Sequence, residues 1–208
     1  MADAFGVSRE TTETLDRFVR LLKQWNQAAC LVGSATVPAI WSRHVADSLQ
    51  LLRYIPRTTR ILLDVGSGGG IPGLILAIAL AGRLRVKVHL VESNQRKCAF
   101  LREAVRLLNV PAELHAARVE NITIDDLGGQ PDIVCARALA PLPRLFELTA
   151  RFIGGGAVGV FPKGRHLGRE LRQAAQFWTI DAQSCASAVE PSGFVLIVRG
   201  LARVRLCR

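Results

Sequence analysis

The apolar positions of this chain follow two rhythms, and the change between them near residue 57 divides it. In residues 8–28, Leu15, Phe18, Val19, Leu22 and Trp25 recur at three- and four-residue steps. Ser8 precedes them as a helix cap, and acidic residues fill the early turns, so this stretch predicts an amphipathic helix. Residues 36–54 repeat the pattern, with Ile40, Trp41, His44, Val45, Ser48, Leu49 and Leu52 on one stripe of a second predicted helix. Pro56-Arg57-Thr58-Thr59 then breaks the chain. Beyond it, short apolar runs at 61–65, 86–91, 112–115, 132–136 and 157–161 predict strands, and 72–81, 95–108, 142–152 and 165–177 predict the helices between them. Such alternation specifies a parallel, doubly wound sheet. Residues 179–188 and 194–200 flank Glu190-Pro191-Ser192-Gly193 and predict a hairpin whose last strand runs antiparallel to the rest. The expected organisation is an N-terminal helical extension, 1–57, and an α/β domain, 58–208.

The first strand runs directly into Asp64-Val65-Gly66-Ser67-Gly68-Gly69-Gly70-Ile71-Pro72-Gly73. Glycines here admit positive φ and close approach of a ligand to the backbone, and the helix that follows offers free N–H groups. Two cofactors compete for the loop. Gly68-x-Gly70-x-x-Gly73 fits the dinucleotide fingerprint, whereas Asp64-x-Gly66-x-Gly68-x-Gly70 fits the acidic-x-G-x-G-x-G loop of S-adenosylmethionine enzymes. The second register is the better match, because Gly66 follows the strand at once. A carboxylate at the loop entry also suits a cationic amino-acid or sulfonium group and repels a pyrophosphate. Glu92 closes the second strand, where a carboxylate can accept from both ribose hydroxyls under either reading. The fold class expected is a Rossmann-like, class I methyltransferase sheet with an antiparallel C-terminal hairpin and an N-terminal helical extension.

Composition narrows the partners. Against 17 Asp and Glu stand 27 Lys and Arg, a net charge of +10 in 208 residues. That balance points to a polyanion, nucleic acid before an anionic membrane. Residues 65–82 carry no charge, but six glycines and a proline make them a buried helix and its loop rather than a membrane span. Five cysteines at 30, 98, 135, 185 and 207 form no C-x-x-C pair, so neither a zinc site nor a disulfide framework is expected, and Cys98 and Cys135 read as core. The opening Met1-Ala2-Asp3-Ala4-Phe5 has no signal-peptide character. A cytoplasmic monomer without bound metal is the expectation.

The chain resembles a known family, the bacterial small-subunit ribosomal RNA guanine-N7 methyltransferases RsmG (GidB). The resemblance spans roughly residues 20–200. It is carried by Trp41-Ser42-Arg43-His44-Val45-Ala46-Asp47-Ser48-Leu49, the glycine loop with its trailing Pro-Gly, Arg118-Val119-Glu120, and Ala136-Arg137-Ala138-Leu139-Ala140-Pro141-Leu142. At Asn26–Gly33 the chain departs from the Asn-Leu-Thr-like residues common in the family. The resemblance implies S-adenosyl-L-methionine as cofactor, contacts to it at Gly66, Ile71, Val119, Glu120 and Arg137, and ribosomal RNA of the small subunit as substrate.

Residue chemistry adds its own reading. Gly68 and Glu92 join the cofactor set. Val119 and Glu120 follow the third strand at the carboxyl edge, where ligands bind open α/β sheets. Arg137 ends the fourth strand, placed to hold a cofactor carboxylate or an RNA phosphate, or to pair with Asp64 or Glu120. Guanine N7 carries a lone pair and no proton, so its methylation needs alignment and no side-chain base; no catalytic base is expected. RNA contact is assigned to Arg43, His44, Arg137, Lys163, Arg165 and Arg169, with His166, Arg172 and the C-terminal Arg199, Arg203, Arg205 and Arg208 adding charge. An RNA-binding assembly factor with a vestigial cofactor fold, or a methyltransferase for another substrate, are the alternatives.

Overall fold

The structure, a computed structural model, describes residues 5–204. Arg205, Cys207, Arg208 and the opening residues 1–4 lie outside the described residues. Ser8 caps helix α1, Arg9–Ala29, by accepting from the Thr11 N–H at 3.2 Å. Leu15, Phe18, Val19 and Leu22 are buried, as their spacing predicts. Cys30 ends the helix in the left-handed region, φ 47°. Asn26 then accepts from the Val32 N–H at 2.8 Å, which shapes the loop where the chain departs from its family pattern.

Residues 36–54 do not form the single α-helix expected. A 3-10 segment, Ser34–Ala39, leads into a wide π-type turn, Trp41–Ala46, then one α-turn, α2 (Asp47–Leu49), and a second 3-10 segment, Gln50–Tyr54. Pro38 removes one donor from the ladder. The Arg43 carbonyl accepts from the Arg137 guanidinium at 2.8 Å and the His44 carbonyl from the Ser48 hydroxyl at 2.7 Å. Side-chain donors on consecutive carbonyls compete with the i+4 bonds and widen the turn.

Strands β1 (Ile61–Val65), β2 (Lys87–Val91), β3 (Ala112–His115), β4 (Ile133–Cys135) and β5 (Val158–Lys163) are parallel, and β7 (Phe194–Arg203) runs antiparallel between β5 and β6 (Trp178–Ala186). The sheet order is β3-β2-β1-β4-β5-β7-β6. The chain reverses its direction of winding between β1 and β4, the switch point beyond which such sheets bind ligands. One face carries α1, α3 (Gly73–Leu80) and α4 (Gln95–Leu108); the other carries α5 (Leu142–Gly154) and α6 (Leu167–Ala174). Helix α6 is shorter than the predicted 165–177, because residues 164–166 form the turn that feeds it. Residues of α1, α3 and α4 share one core, and Phe100 meets Phe18 and Trp25 at 6.4 and 6.0 Å between ring centroids. The uncharged stretch at 65–82 proves to be the glycine turn and the buried α3, and no helix among the described residues is long and apolar enough to cross a membrane.

Candidate active site

The turn after β1 is held by its neighbour strand. Gly66 and Ser67 both donate to the Val91 carbonyl at 2.9 Å, and Gly68 donates to Glu92 Oε2 at 3.0 Å. Gly66, Gly68 and Gly70 have φ of 74°, 55° and 78°, a left-handed path closed to most side chains. Glu92 is aimed from below: its Oε1 accepts from the Ser93 and Asn94 N–H groups at 2.8 and 2.7 Å. These bonds fix the carboxylate at the cavity wall and leave Oε2 with a further lone pair.

Asp64 does not face a ligand, and that expectation is corrected. It is fully buried and accepts from the Gly73 N–H at 3.1 Å, closing the start of α3. Side chains alternate along a strand, so Asp64 shares the α3 side with Leu62, opposite Leu63 and Val65. Burial pushes its carboxyl up from 3.8 to about 6, against the lowering bonds from Ser67, Gly73 and Cys135. Between these values the native chain holds a proton that the unfolded chain has lost, so this group's stability contribution falls as pH rises. A shift of two units corresponds to about 3 kcal/mol. Urea titrations of the wild type and Asp64→Asn should therefore diverge by about that amount between pH 4 and 6.5, the wild type losing ground, and run parallel above. Parallel curves throughout would mean that the carboxylate is solvated as a charge.

Two cavities open at the carboxyl edge. The smaller, about 400 Å³, is lined by Gly66, Glu92, Val119, Glu120, Leu139 and Arg144 among others. Four of the sequence-predicted cofactor residues thus meet there, and Gly68 joins them through its bond to Glu92. Ile71 does not: its side chain is 7% exposed and belongs to the core beneath the loop. Glu120 is exposed and pairs with Arg144 at 2.7 Å, while Arg151 donates to the Val119 carbonyl.

The larger cavity, about 570 Å³, is walled by Ala39, Ser42 and Asp47, by Arg137 and Ala138 after β4, by Pro162 and Lys163 at the end of β5, and by Ser187, Val189, Glu190, Gly193 and Phe194 of the hairpin. Ala138, at φ 53°, lines both cavities. The Arg137 side chain opens onto the larger one, and neither expected ion pair forms. Asp64 is fully buried and taken by the Gly73 N–H, Glu120 is taken by Arg144, and the partner is Asp47 at 2.9 Å. Arg137 also donates to His44 Nδ1 at 2.7 Å and to the Arg43 carbonyl at 2.8 Å. Burial raises the Asp47 carboxyl despite the guanidinium, and lowers Arg137 despite the carboxylate. Gln50, 2% exposed, continues the network: its amide donates to Asp47 at 2.7 Å and its carbonyl accepts from the Ala188 N–H at 2.8 Å.

His44 is withdrawn from the RNA set. It is 6% exposed, and because Arg137 donates to Nδ1, its proton sits on Nε2 and is given to the Thr36 hydroxyl at 2.9 Å. Burial, then the Arg137 and Arg43 charges, lower it to about 4, so it stays neutral. Lys163 is likewise no free surface charge. It pairs with Glu170 at 2.6 Å inside the cavity wall. Arg165, Arg169 and Arg172 are exposed nearby, and Arg43 is exposed at the rim, 3.6 Å from Glu190. Of the C-terminal arginines, the described Arg199 and Arg203 do not reinforce this rim. Phe194 pairs with Lys163 at the site edge and β7 runs away from it, so Arg203 lies roughly 30 Å off and pairs with Glu147.

Asp47, Gln50, Glu170 and Leu139 escaped the sequence reading as site residues. Asp47 stands beside the apolar stripe of His44 and Ser48 and not on it, so periodicity gave no sign of its burial.

Fold and site together define a class I S-adenosylmethionine-dependent methyltransferase. An O-methyltransferase of Streptomyces achromogenes involved in tomaymycin synthesis, solved with S-adenosylmethionine, has the same fold at 20% identity and TM-score 0.59, over 93% of this chain and 92% of that one. So does a Bacillus cereus O-methyltransferase solved with S-adenosylhomocysteine, at 17% identity and TM-score 0.59, over 88% and 90%. The chain belongs to the GidB family, rRNA small subunit methyltransferase G, whose model matches residues 11–192. It is 49% identical over 197 residues to the ribosomal RNA small subunit methyltransferase G of Methylobacterium sp. strain 4-46, covering 94% of this chain and 92% of that one. The protein of the same name from Parvibaculum lavamentivorans is 45% identical over 196 residues, 94% and 86% of the two chains.

Proposed function

We propose that this chain transfers the methyl group of S-adenosylmethionine to N7 of a guanine in small-subunit ribosomal RNA. The observation that carries the reading is the pair of cavities at the switch point, joined at Ala138. Family membership supports the ribosomal substrate, and the motif resemblance supports guanine N7. The smaller cavity fits the adenosine end of the cofactor. Glu92 Oε2 has a lone pair left for a ribose hydroxyl, Val119 offers an apolar wall to the base, and the bare Cα of Gly66 is covered only by Leu139, a partly exposed side chain that can turn aside for a ligand. The amino-acid end then lies toward Ala138, on the side where Arg137 is held in place.

The cofactor, when bound, supplies an electrophilic methyl group. The chain's own residues position and desolvate. Around the larger cavity, Asp47, Glu170 and Glu190 are each engaged by a cation, Arg137, Lys163 and Arg43. That arrangement suits a nucleophile that needs no proton removed. It also offers acceptors for the N1–H and N2–H groups of guanine and donors for O6. The exposed Arg165, Arg169 and Arg43 would bind phosphates around the mouth.

Labelled methyl transfer to small subunits lacking the modification, followed by nuclease mapping, should give 7-methylguanine at one position. In Arg165→Ala/Arg169→Ala the Michaelis constant for the subunit should rise and the slope of log affinity against log salt flatten by roughly 1–2 units. Binding without transfer would favour an assembly factor, and label on another base would overturn the guanine assignment.

A further inference from the structure

At the β2–β3 edge of the sheet, outside both cavities, three ligand side chains converge that lie up to 26 residues apart in sequence. His89 sits opposite Glu113 in the parallel register, and His115 lies two residues on, opposite Val91. The two-residue period puts all three on one face of the sheet. One ligand atom from each lies within 4.8 Å of the other two. His89 Nδ1 and His115 Nε2 are 2.8 Å apart. His89 is 1% exposed, yet its Nε2 has no hydrogen-bond partner and its Nδ1 has only His115. The Nδ1 lone pair turned toward His115 is the one a metal ion would use, and the unpartnered Nε2 is no part of the site.

We propose that His89, Glu113 and His115 form a binding site for a borderline divalent cation of the zinc type. Two neutral imidazole nitrogens and one carboxylate oxygen are the ligand set of an open zinc site, with water as the fourth ligand. Magnesium, which prefers oxygen and an octahedron, does not match it. The proton balance is neutral. Each ring keeps one N–H, His89 at Nε2 and His115 at Nδ1, and the single proton now between the rings moves within the pair. Only one competitor must leave: the Lys87 ammonium, which pairs with Glu113 while both side chains are about half exposed. β3 is the outermost strand, and Ala117 to Glu120, just after His115, form a wall of the smaller cavity. An ion joining β2 to β3 would therefore pin the edge strand and that wall together.

The test is calorimetric titration of Zn²⁺ into the full chain carrying no histidine tag. One site should appear, with visible Co²⁺ absorption typical of four-coordination and no heat from Mg²⁺. His115→Ala, at a partly exposed position, should fold and lose the site, its fold checked by circular dichroism. Glu113→Gln should weaken binding about tenfold by removing the charged oxygen. Lys87→Met should tighten it, by up to about fivefold, since an exposed ion pair is given up. Absence of a Zn²⁺ site, or one unchanged in His115→Ala, as zinc on the exposed Cys30 would give, overturns the proposal. So does binding that Lys87→Met weakens.

Discussion

Arg137→Ala should loosen residues 36–50 from the sheet and cost about 3 kcal/mol of stability. The guanidinium makes three bonds to one segment, and its removal strands the Asp47 carboxylate, which is only 15% exposed. Breaking one half of a buried pair costs ~3–5 kcal/mol, and the partial exposure here places the value at the lower end. The same loss opens the larger cavity, so methyl transfer should fall further than the population of folded protein does. Arg137→Lys keeps the charge but not the directed donors, and should recover only part of both effects. Urea unfolding read at the tryptophan signal, with Trp41 in the affected segment, measures the first effect; single-turnover transfer measures the second. A stability change under about 1 kcal/mol for Arg137→Ala would show that the segment is held by packing alone.

Gly66→Val is expected to leave a folded protein that no longer binds the cofactor. At φ 74° a β-branched residue is strained by more than the ~1–2 kcal/mol of an ordinary side chain. A Cβ there would stand 2.5 Å from Leu139 Cδ1. Leu139 is 38% exposed and can turn aside, so the clash is relieved locally and the core is spared. The valine methyl groups then fill the floor of the smaller cavity. S-adenosylhomocysteine affinity should drop at least about 100-fold, roughly 3 kcal/mol, by calorimetry. Near-normal affinity in a folded variant would mean that the ligand does not cross this turn.

The strands and helices were legible where a local pattern decides them. The run at 61–65 is apolar, bounded by a breaker and a glycine turn, and β1 occupies those residues. Strand β5 extends two residues past its predicted end because β7 pairs with Pro162 and Lys163, a partner that no local window reveals. The segment 36–54 has helical periodicity but not one helix, since the donor that captures the Arg43 carbonyl comes from Arg137. The same distance hid the site network, where His44 and Arg137 are 93 positions apart. The glycine turn, Glu92 and Val119 were readable from chemistry at strand ends. The orientation of Asp64 was also readable, from the alternation of Leu62, Leu63 and Val65, but the motif drew attention to the ligand side. His89 and His115 are lone histidines in sequence and become neighbours only through the register of β2 on β3.

Ala138 makes the two cavities one thermodynamic object. Its backbone is a wall of each, so a shift of this residue on filling one cavity changes the shape offered in the other. Linkage requires the effect to be mutual: whatever factor the cofactor applies to RNA affinity, RNA applies to cofactor affinity. An enzyme that grips its subunit more tightly with S-adenosylmethionine than with S-adenosylhomocysteine must, by the same ratio, shift its preference toward the fresh cofactor when the subunit binds. In such an enzyme, loss of the methyl group by itself weakens the hold on the subunit.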